Sequence, residues 1–129
     1  MKYVLDTSAW FAFMHSADSA HTQAVEVISS QPKLLVCYPV FEEIAAVLHH
    51  RVDKSLAVKA CNILFSSKLV DLIYFGSEEN KQVMKLYEEF PKGIDYVDAS
   101  VAWLARKYAL PVFTFDKHFH ELNLVCVPK

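Results

Sequence analysis

The chain has 129 residues and is 53% hydrophobic, with a mean hydropathy of +0.18, which suits one domain spanning residues 1–129 with a substantial core. Its formal net charge of −2 excludes the overall basic field typical of nucleic-acid binders, while leaving room for a local basic rim. No run approaches the ~18 apolar residues that span a membrane, and M-K-Y-V-L-D-T lacks the apolar stretch of a signal peptide, so no membrane contact and a cytoplasmic location are expected.

In chain order, Tyr3–Leu5 predicts a strand, followed by helices at Ser8–Met14 and Ser19–Ser29. A second strand at Leu34–Cys37 leads into helices at Val40–Arg51 and Ser55–Ser66. The third strand, Val70–Phe75, precedes helices at Glu78–Phe90 and Tyr96–Tyr108. Val112–Phe115 and Leu124–Val127 complete five strands, with a short helical turn over Lys117–Leu122 between them. Several strands are rich in Val, Leu and Phe without strict alternation, as in a parallel sheet covered on both faces. Strands alternating with helices predict an α/β fold with right-handed crossovers, in which ligands bind beyond the carboxyl ends of the strands.

Only Gly76 and Gly93 occur as glycines, so neither a Walker A loop nor a G-x-G-x-x-G fingerprint is present. Cys37, Cys61 and Cys126 are an odd number at wide spacing and read as buried free thiols. His118 and His120 form H-x-H and His49-His50 are adjacent, but zinc takes about four N or S ligands and no cysteine lies near either pair. These histidines read as surface residues. Trp10, Phe11 and Phe13 suit packing on a helix face or an oligomer contact and Trp103 an interface; with the apolar composition they predict more apolar surface than one small domain covers, and hence self-association.

Four acids end or interrupt apolar runs: Asp6 in V-L-D-T-S, Glu43 in F-E-E-I-A-A-V-L, Asp98 in Y-V-D-A-S-V-A and Asp116 in V-F-T-F-D-K. Burying an unpaired carboxylate costs several kcal/mol or forces its protonation. Individually three have local explanations: Asp6 and Asp116 as helix caps, and Asp98 as the third-position acid of a capping box started by Asp95. Collectively they suit a pocket that holds a hard divalent cation through oxygen ligands. At about 100° per residue, Asp98 falls on the side of Val101, Ala102 and Ala105. Glu43 borders the apolar face of Val40, Ile44 and Val47, whereas Glu42 lies nearly opposite.

With these residues in place, L-D-T-S, P-V-F-E-E-I-A-A-V-L, Y-V-D-A-S-V-A-W-L-A and V-F-T-F-D-K-H-F, in this order over nearly the whole chain, resemble the PIN-domain family, most closely its small VapC-like toxin ribonucleases. The resemblance implies a Rossmann-like α/β/α sandwich and endonucleolytic cleavage of RNA dependent on Mg²⁺ or Mn²⁺. It places the family's acidic quartet on Asp6, Glu43, Asp98 and Asp116, with Asp6, Asp98 and Asp116 as metal ligands. Thr114 matches the hydroxyl residue two before the last acid, and Thr7 or Ser8 the polar residue after the first; Ser8 and Thr114 would hydrogen-bond the ligands. Lys117, Arg51 and Lys54 are candidate phosphate contacts, against a plain solvated-charge reading. The family also suggests a homodimer and a cognate antitoxin. A receiver domain would need an acid at the end of the third strand, where Tyr74-Phe75-Gly76 stands. A haloacid-dehalogenase phosphatase would need a second Asp at Ser8. A non-catalytic PIN-like module that binds RNA or protein is the competing reading.

Overall fold

The computed structural model describes residues 1–129. Five parallel strands, β1 (Lys2–Leu5), β2 (Lys33–Cys37), β3 (Val70–Ile73), β4 (Val112–Phe113) and β5 (Cys126–Val127), form one sheet in the order β3-β2-β1-β4-β5. Parallel neighbours need crossovers, supplied here by six helices. These are α1 (Thr7–Met14), α2 (His21–Ser29), α3 (Tyr38–Arg51), α4 (Lys54–Ser66), α5 (Ser77–Glu89) and α6 (Tyr96–Tyr108). A 3-10 turn, Lys117–Leu122, links β4 to β5.

The predicted α/β sandwich with a five-stranded parallel sheet is therefore the observed one. Chain order proceeds outward from β1 to β2 and β3, then returns to β4 on the other side of β1. That reversal makes the crevice between β1 and β4 the switch point of the sheet, the usual ligand position in such folds. Val4 pairs with Val112 and Leu5 with Phe113, so the two strands end level. Asp6 follows one end and Thr114 the other.

The core explains the element boundaries. Val4, Leu5, Val36, Val112 and Phe113 are fully buried in the sheet, and Leu34 nearly so; Val40, Ile44, Leu48, Val101, Ala102 and Leu104 press against them from the helices. Ala99, Ala102 and Ala105 are buried on α6, where small side chains let the helix approach the strands closely. Strands β3, β4 and β5 are shorter than their apolar runs, because Tyr74, Phe75, Phe115 and Leu124 leave the hydrogen-bonded ladder. Helix α2 starts two residues later than expected, since the Asp18 carboxylate accepts the Ala20 N–H at 2.9 Å and holds a turn there.

Two expectations about surface need correction. Trp10 and Phe11 are buried inside the domain, with the Trp10 indole N–H donating to the Ala60 carbonyl at 3.2 Å. Phe13 and Trp103 are half-buried and packed on the core, and Trp103 meets Phe75 edge-on. An aromatic-rich helix reads as surplus surface when alone, but α1 packs against α2 and α3. The large apolar residues left exposed are others, among them Val58, Phe65 and Tyr74. All three cysteines are free; Cys37 and Cys126 are buried, while Cys61 is only half-buried.

Phe119 is fully buried beneath the 3-10 turn. Phe119→Ala should lower unfolding free energy by about 3–5 kcal/mol in urea titrations, and a change below 1 kcal/mol would show that the turn is not anchored by this ring.

Candidate active-site cleft

The crevice at the switch point is a cleft of about 400 Å³, lined by residues that include Asp6, Glu43, Asp95, Asp98, Asp116 and Arg51. All four predicted acids converge there, joined by Asp18 and Asp95. Thr7, Ser8 and His118 also line it.

Its floor is a hydrogen-bond network joining the ends of β1 and β4. Asp6 is buried. Its Oδ2 accepts from the Ser8 hydroxyl at 2.6 Å, from the Thr114 hydroxyl at 2.8 Å and from the Ser8 N–H at 3.3 Å. Ser8 Oγ accepts the Phe115 N–H at 2.9 Å, and Thr114 Oγ1 accepts the Asp116 N–H at 2.9 Å. Each hydroxyl has one proton, and each directs it at Asp6. The 3.2 Å approach of Ser8 Oγ to Thr114 Oγ1 is then a contact between two acceptors rather than a further bond. Every donation falls on Oδ2, which leaves Asp6 Oδ1 uncommitted.

Local capping positions the other acids. Asp116 Oδ1 accepts the His118 N–H at 2.9 Å and lies 3.2 Å from His118 Nδ1. Asp95 Oδ1 accepts the Asp98 N–H at 2.8 Å while Asp98 Oδ2 accepts the Asp95 N–H at 3.1 Å, a reciprocal capping box. All three capping assignments hold. They do not compete with a shared site, since the capped helix ends point into one cleft. Glu43 is half-buried beside Val47 on the cleft side of α3, and Glu42 is exposed.

Burial outweighs the bonds that favour charge. It raises the Asp6 carboxyl above its ordinary range despite the donations from Ser8 and Thr114. Burial also raises Glu43, with Thr7 opposing and the charges of Asp95, Asp6 and Asp116 adding to the rise. Asp98 is pushed up to about 7, chiefly by burial and further by the charges of Asp95 and Asp6. Thr7 Oγ1 is buried and makes no hydrogen bond of good geometry, but it stands close enough to the Glu43 carboxylate to favour that group's charged form.

This donor set fits a hard divalent cation: carboxylate and hydroxyl oxygens dominate, and the acids repel one another. No three acids, histidines or cysteines stand close enough together to ligate an ion jointly. Mg²⁺, which keeps several waters and takes one or two carboxylates, does not require that they do.

The candidate phosphate contacts separate. Arg51 lines the cleft, its guanidinium 4.5 Å from the centre of the Phe11 ring. Lys117 is exposed and does not line the cleft. Lys54 lines a different groove of about 610 Å³, between α3 and α4, with Ala45, Ala46 and Ala57. Asp95 was not singled out as a site residue by its sequence pattern, and Thr7 only as the alternative to Ser8. Asp95 had a sufficient local role as a cap, and the approach of Thr7 to Glu43 is visible only in three dimensions.

Residues 3–124 match the sequence model of the PIN domain. No curated protein sequence matches significantly. Among solved structures, VapC20 of Mycobacterium tuberculosis, a sarcin-ricin loop cleaving toxin, is 24% identical and superposes with a TM-score of 0.85, covering 97% of this chain and 98% of its own. VapBC2 of Rickettsia felis, crystallised with a DNA fragment from its promoter, is 17% identical with a TM-score of 0.69, covering 98% of this chain and 97% of that one. FitAcB of Neisseria gonorrhoeae is 16% identical with a TM-score of 0.68, covering 98% and 96%. At these identities the likeness is one of fold.

A carboxyl whose folded pKa is raised stabilises the fold fully below its unfolded value, 3.8 for Asp98, and that stabilisation is lost as pH rises through about 7. The metal-free melting temperature should therefore fall between pH 5 and pH 8, and Asp98→Asn should flatten the fall. Thermal melting in EDTA tests this; equal slopes for both proteins would contradict it.

Proposed function

Because the chain belongs to the PIN-domain family, we propose that residues 1–129 act as one nuclease domain, a divalent-metal-dependent endoribonuclease that hydrolyses RNA phosphodiester bonds as the toxin of a toxin–antitoxin pair. The observation that carries this reading is the convergence of Asp6, Glu43, Asp98 and Asp116 on one cleft at the switch point. A purely structural set of caps has no reason to converge. Asp53 caps α4 by accepting the Leu56 N–H at 2.7 Å and lies outside the cleft.

Asp6, through its free Oδ1, and Asp98 would hold Mg²⁺ or Mn²⁺, with Asp116 reaching the ion through its hydration shell. The bound ion supplies charge neutralisation on the phosphoryl group and acidifies a water. Glu43 orients that water and takes its proton, a role suited to a carboxyl whose proton affinity burial has increased. Ser8 and Thr114 fix Asp6 in one orientation, as ligand-orienting hydrogen bonds commonly do. Arg51, steadied over Phe11, contacts a substrate phosphate at the cleft rim. This local cation offsets the mild overall acidity, leaving Lys54 and Lys117 as solvated charges.

The toxin assignment draws on structural likeness to VapC20, VapBC2 and FitAcB. A cognate antitoxin and a homodimer belong to the same reading, with Val58, Phe65 and Tyr74 as exposed apolar surface available to a partner. No helix is long and apolar enough to cross a membrane, and action in the cytoplasm completes the proposal.

Purified protein should cleave structured RNA in Mg²⁺ or Mn²⁺ and stop when EDTA is added. Glu43→Gln should slow cleavage by roughly 10²–10⁴-fold, and Thr114→Val by about 10–100-fold. Cleavage that persists in excess EDTA, or an unaltered rate for Glu43→Gln, would defeat the mechanism in favour of a binding-only module.

A further inference from the structure

Glu42 and Glu43 are neighbours on one turn of α3, yet they face different hollows. Glu43 lines the cleft. Glu42 lines a pocket of about 210 Å³ bounded by Tyr38, Pro39, Tyr74, Phe75 and Asn80. None of these pocket residues has a part in the chemistry above.

The pocket opens on the same edge of the sheet as the cleft. Val4 pairs with Leu35 and Cys37 with Ile73, and carrying the register forward puts Asp6 level with Cys37. Tyr38 and Tyr74 follow directly on β2 and β3. At the usual strand spacing they lie about 5 Å and 10 Å across the sheet from the strand that carries Asp6.

The aromatic rings there form a pile. Tyr38 stacks on Phe41, with centroids 5.2 Å apart and 16° between the planes, and on Tyr74 at 5.0 Å and 29°. Phe41 is 8% exposed and roots the pile in the core, whereas Tyr74 at its other end is 63% exposed. A hydroxyl-tipped ring is thus held in a fixed orientation with much of its surface in water.

The charge balance indicates what covers that ring. Phosphate contacts supply much of the affinity of ordinary nucleic-acid binders, but this chain carries a net charge of −2, and Arg51 is the only Lys or Arg lining the acidic cleft. Attraction for RNA therefore has to come from uncharged contacts with bases. Proteins hold unpaired RNA bases by stacking them on aromatic rings and bonding their edges, and stacking contributes about 1–3 kcal/mol per base without any charge. At the pocket wall Glu42 offers an acceptor and Asn80 both donors and an acceptor, groups that pair with a base edge carrying an amino group. A hollow of this size takes one planar ring system, not a partner's helix about 10–12 Å across.

We propose that Tyr74, backed by Tyr38, is a stacking platform for one unpaired base of the RNA substrate, with Glu42 and Asn80 reading the edge of that base. The inference rests on the ribonuclease reading above and adds to it a site that selects which RNA is held.

Binding of an RNA hairpin with an unpaired loop is measured by fluorescence anisotropy in Mn²⁺ on a Glu43→Gln parent, which leaves the RNA uncut. Tyr74→Ala in that parent should weaken binding about 5–150-fold, the loss of one stacked base, and by the same factor at low and high salt. Tyr74→Phe keeps the ring and should bind as the parent does. Iodouracil in the loop should photo-cross-link to Tyr74, mapped by mass spectrometry. Parent-like affinity in Tyr74→Ala, alongside wild-type cleavage that EDTA stops, would overturn the platform and leave the nuclease reading intact. A cross-link at Tyr74 in a wild type that cuts no RNA would keep the platform and overturn the nuclease reading. Equal weakening by Tyr74→Phe would defeat the proposal, since stacking survives that change. Absence of the cross-link, with self-association lost in Tyr74→Ala on sedimentation, would assign the rings to a protein contact and defeat it too. If Tyr74→Ala melts below the parent, the cross-link alone decides.

Discussion

Two hydroxyl protons aimed at one carboxylate oxygen hold the ends of β1 and β4 together. Ser8 and Thr114 both donate to Asp6 Oδ2, and both then accept backbone N–H groups from the segment leaving β4. The path of that segment, and so the position of Asp116, follows from how Asp6 is bonded. If Asp6 lost its acceptor oxygen, both hydroxyls would lose their common target in a buried place. Leaving such groups unpaired costs about 1–3 kcal/mol each, so the network behaves as a unit. It also leaves the remaining oxygen of Asp6, a residue that lines the cleft, uncommitted.

Around that unit the fold places carboxylates where two physical effects oppose each other. Helix amino ends favour negative charge, typically by 0.3–1 kcal/mol, and cap bonds add to this. Removal from water works the other way, and for Asp6 and Asp98 it prevails, as their raised proton affinities show. The cleft is therefore a region of stored repulsion, which grows as pH rises through about 7 and Asp98 loses its proton. Packing elsewhere supports it: the buried face of α6 along Ala99, Ala102 and Ala105 and the ring of Phe119 hold the amino end of α6 and the 3-10 turn at the cleft edge.

Much of this was legible in the sequence, for identifiable reasons. Strand composition and the alternation of elements led to the parallel sheet, and Asp6 following V-L placed an acid at a strand end. Helical periodicity separated Glu43 from Glu42, because a helix face is a local property. Capping chemistry was equally local, and the bonds of Asp6, Asp95 and Asp116 are as that chemistry requires. What the sequence could not convey was long-range. Whether Trp10 faced solvent depended on Ala60, fifty residues later, accepting its indole N–H. Lys54 and Arg51 are neighbours in the chain, yet only Arg51 reaches the cleft, because α3 ends there and α4 turns away. Asp95 was passed over because its local role was already sufficient.

The bonds between Asp6 and Thr114 span a separation of 108 residues. Ordering so distant a pair carries a loop-closure cost that local helices never face, and no part of the chain before β4 can substitute for it. A ribosome-bound chain that has emerged only as far as α6 therefore carries Asp6, Glu43 and Asp98 without the hydroxyl that orients the first of them or the strand that seats the fourth acid. Whatever chemistry the cleft performs is withheld until β4 and the segment after it have been made. Assembly of the cleft is thus tied to synthesis of β4: fragments that stop at α6 retain Asp6, Glu43 and Asp98 but neither their arrangement nor Asp116.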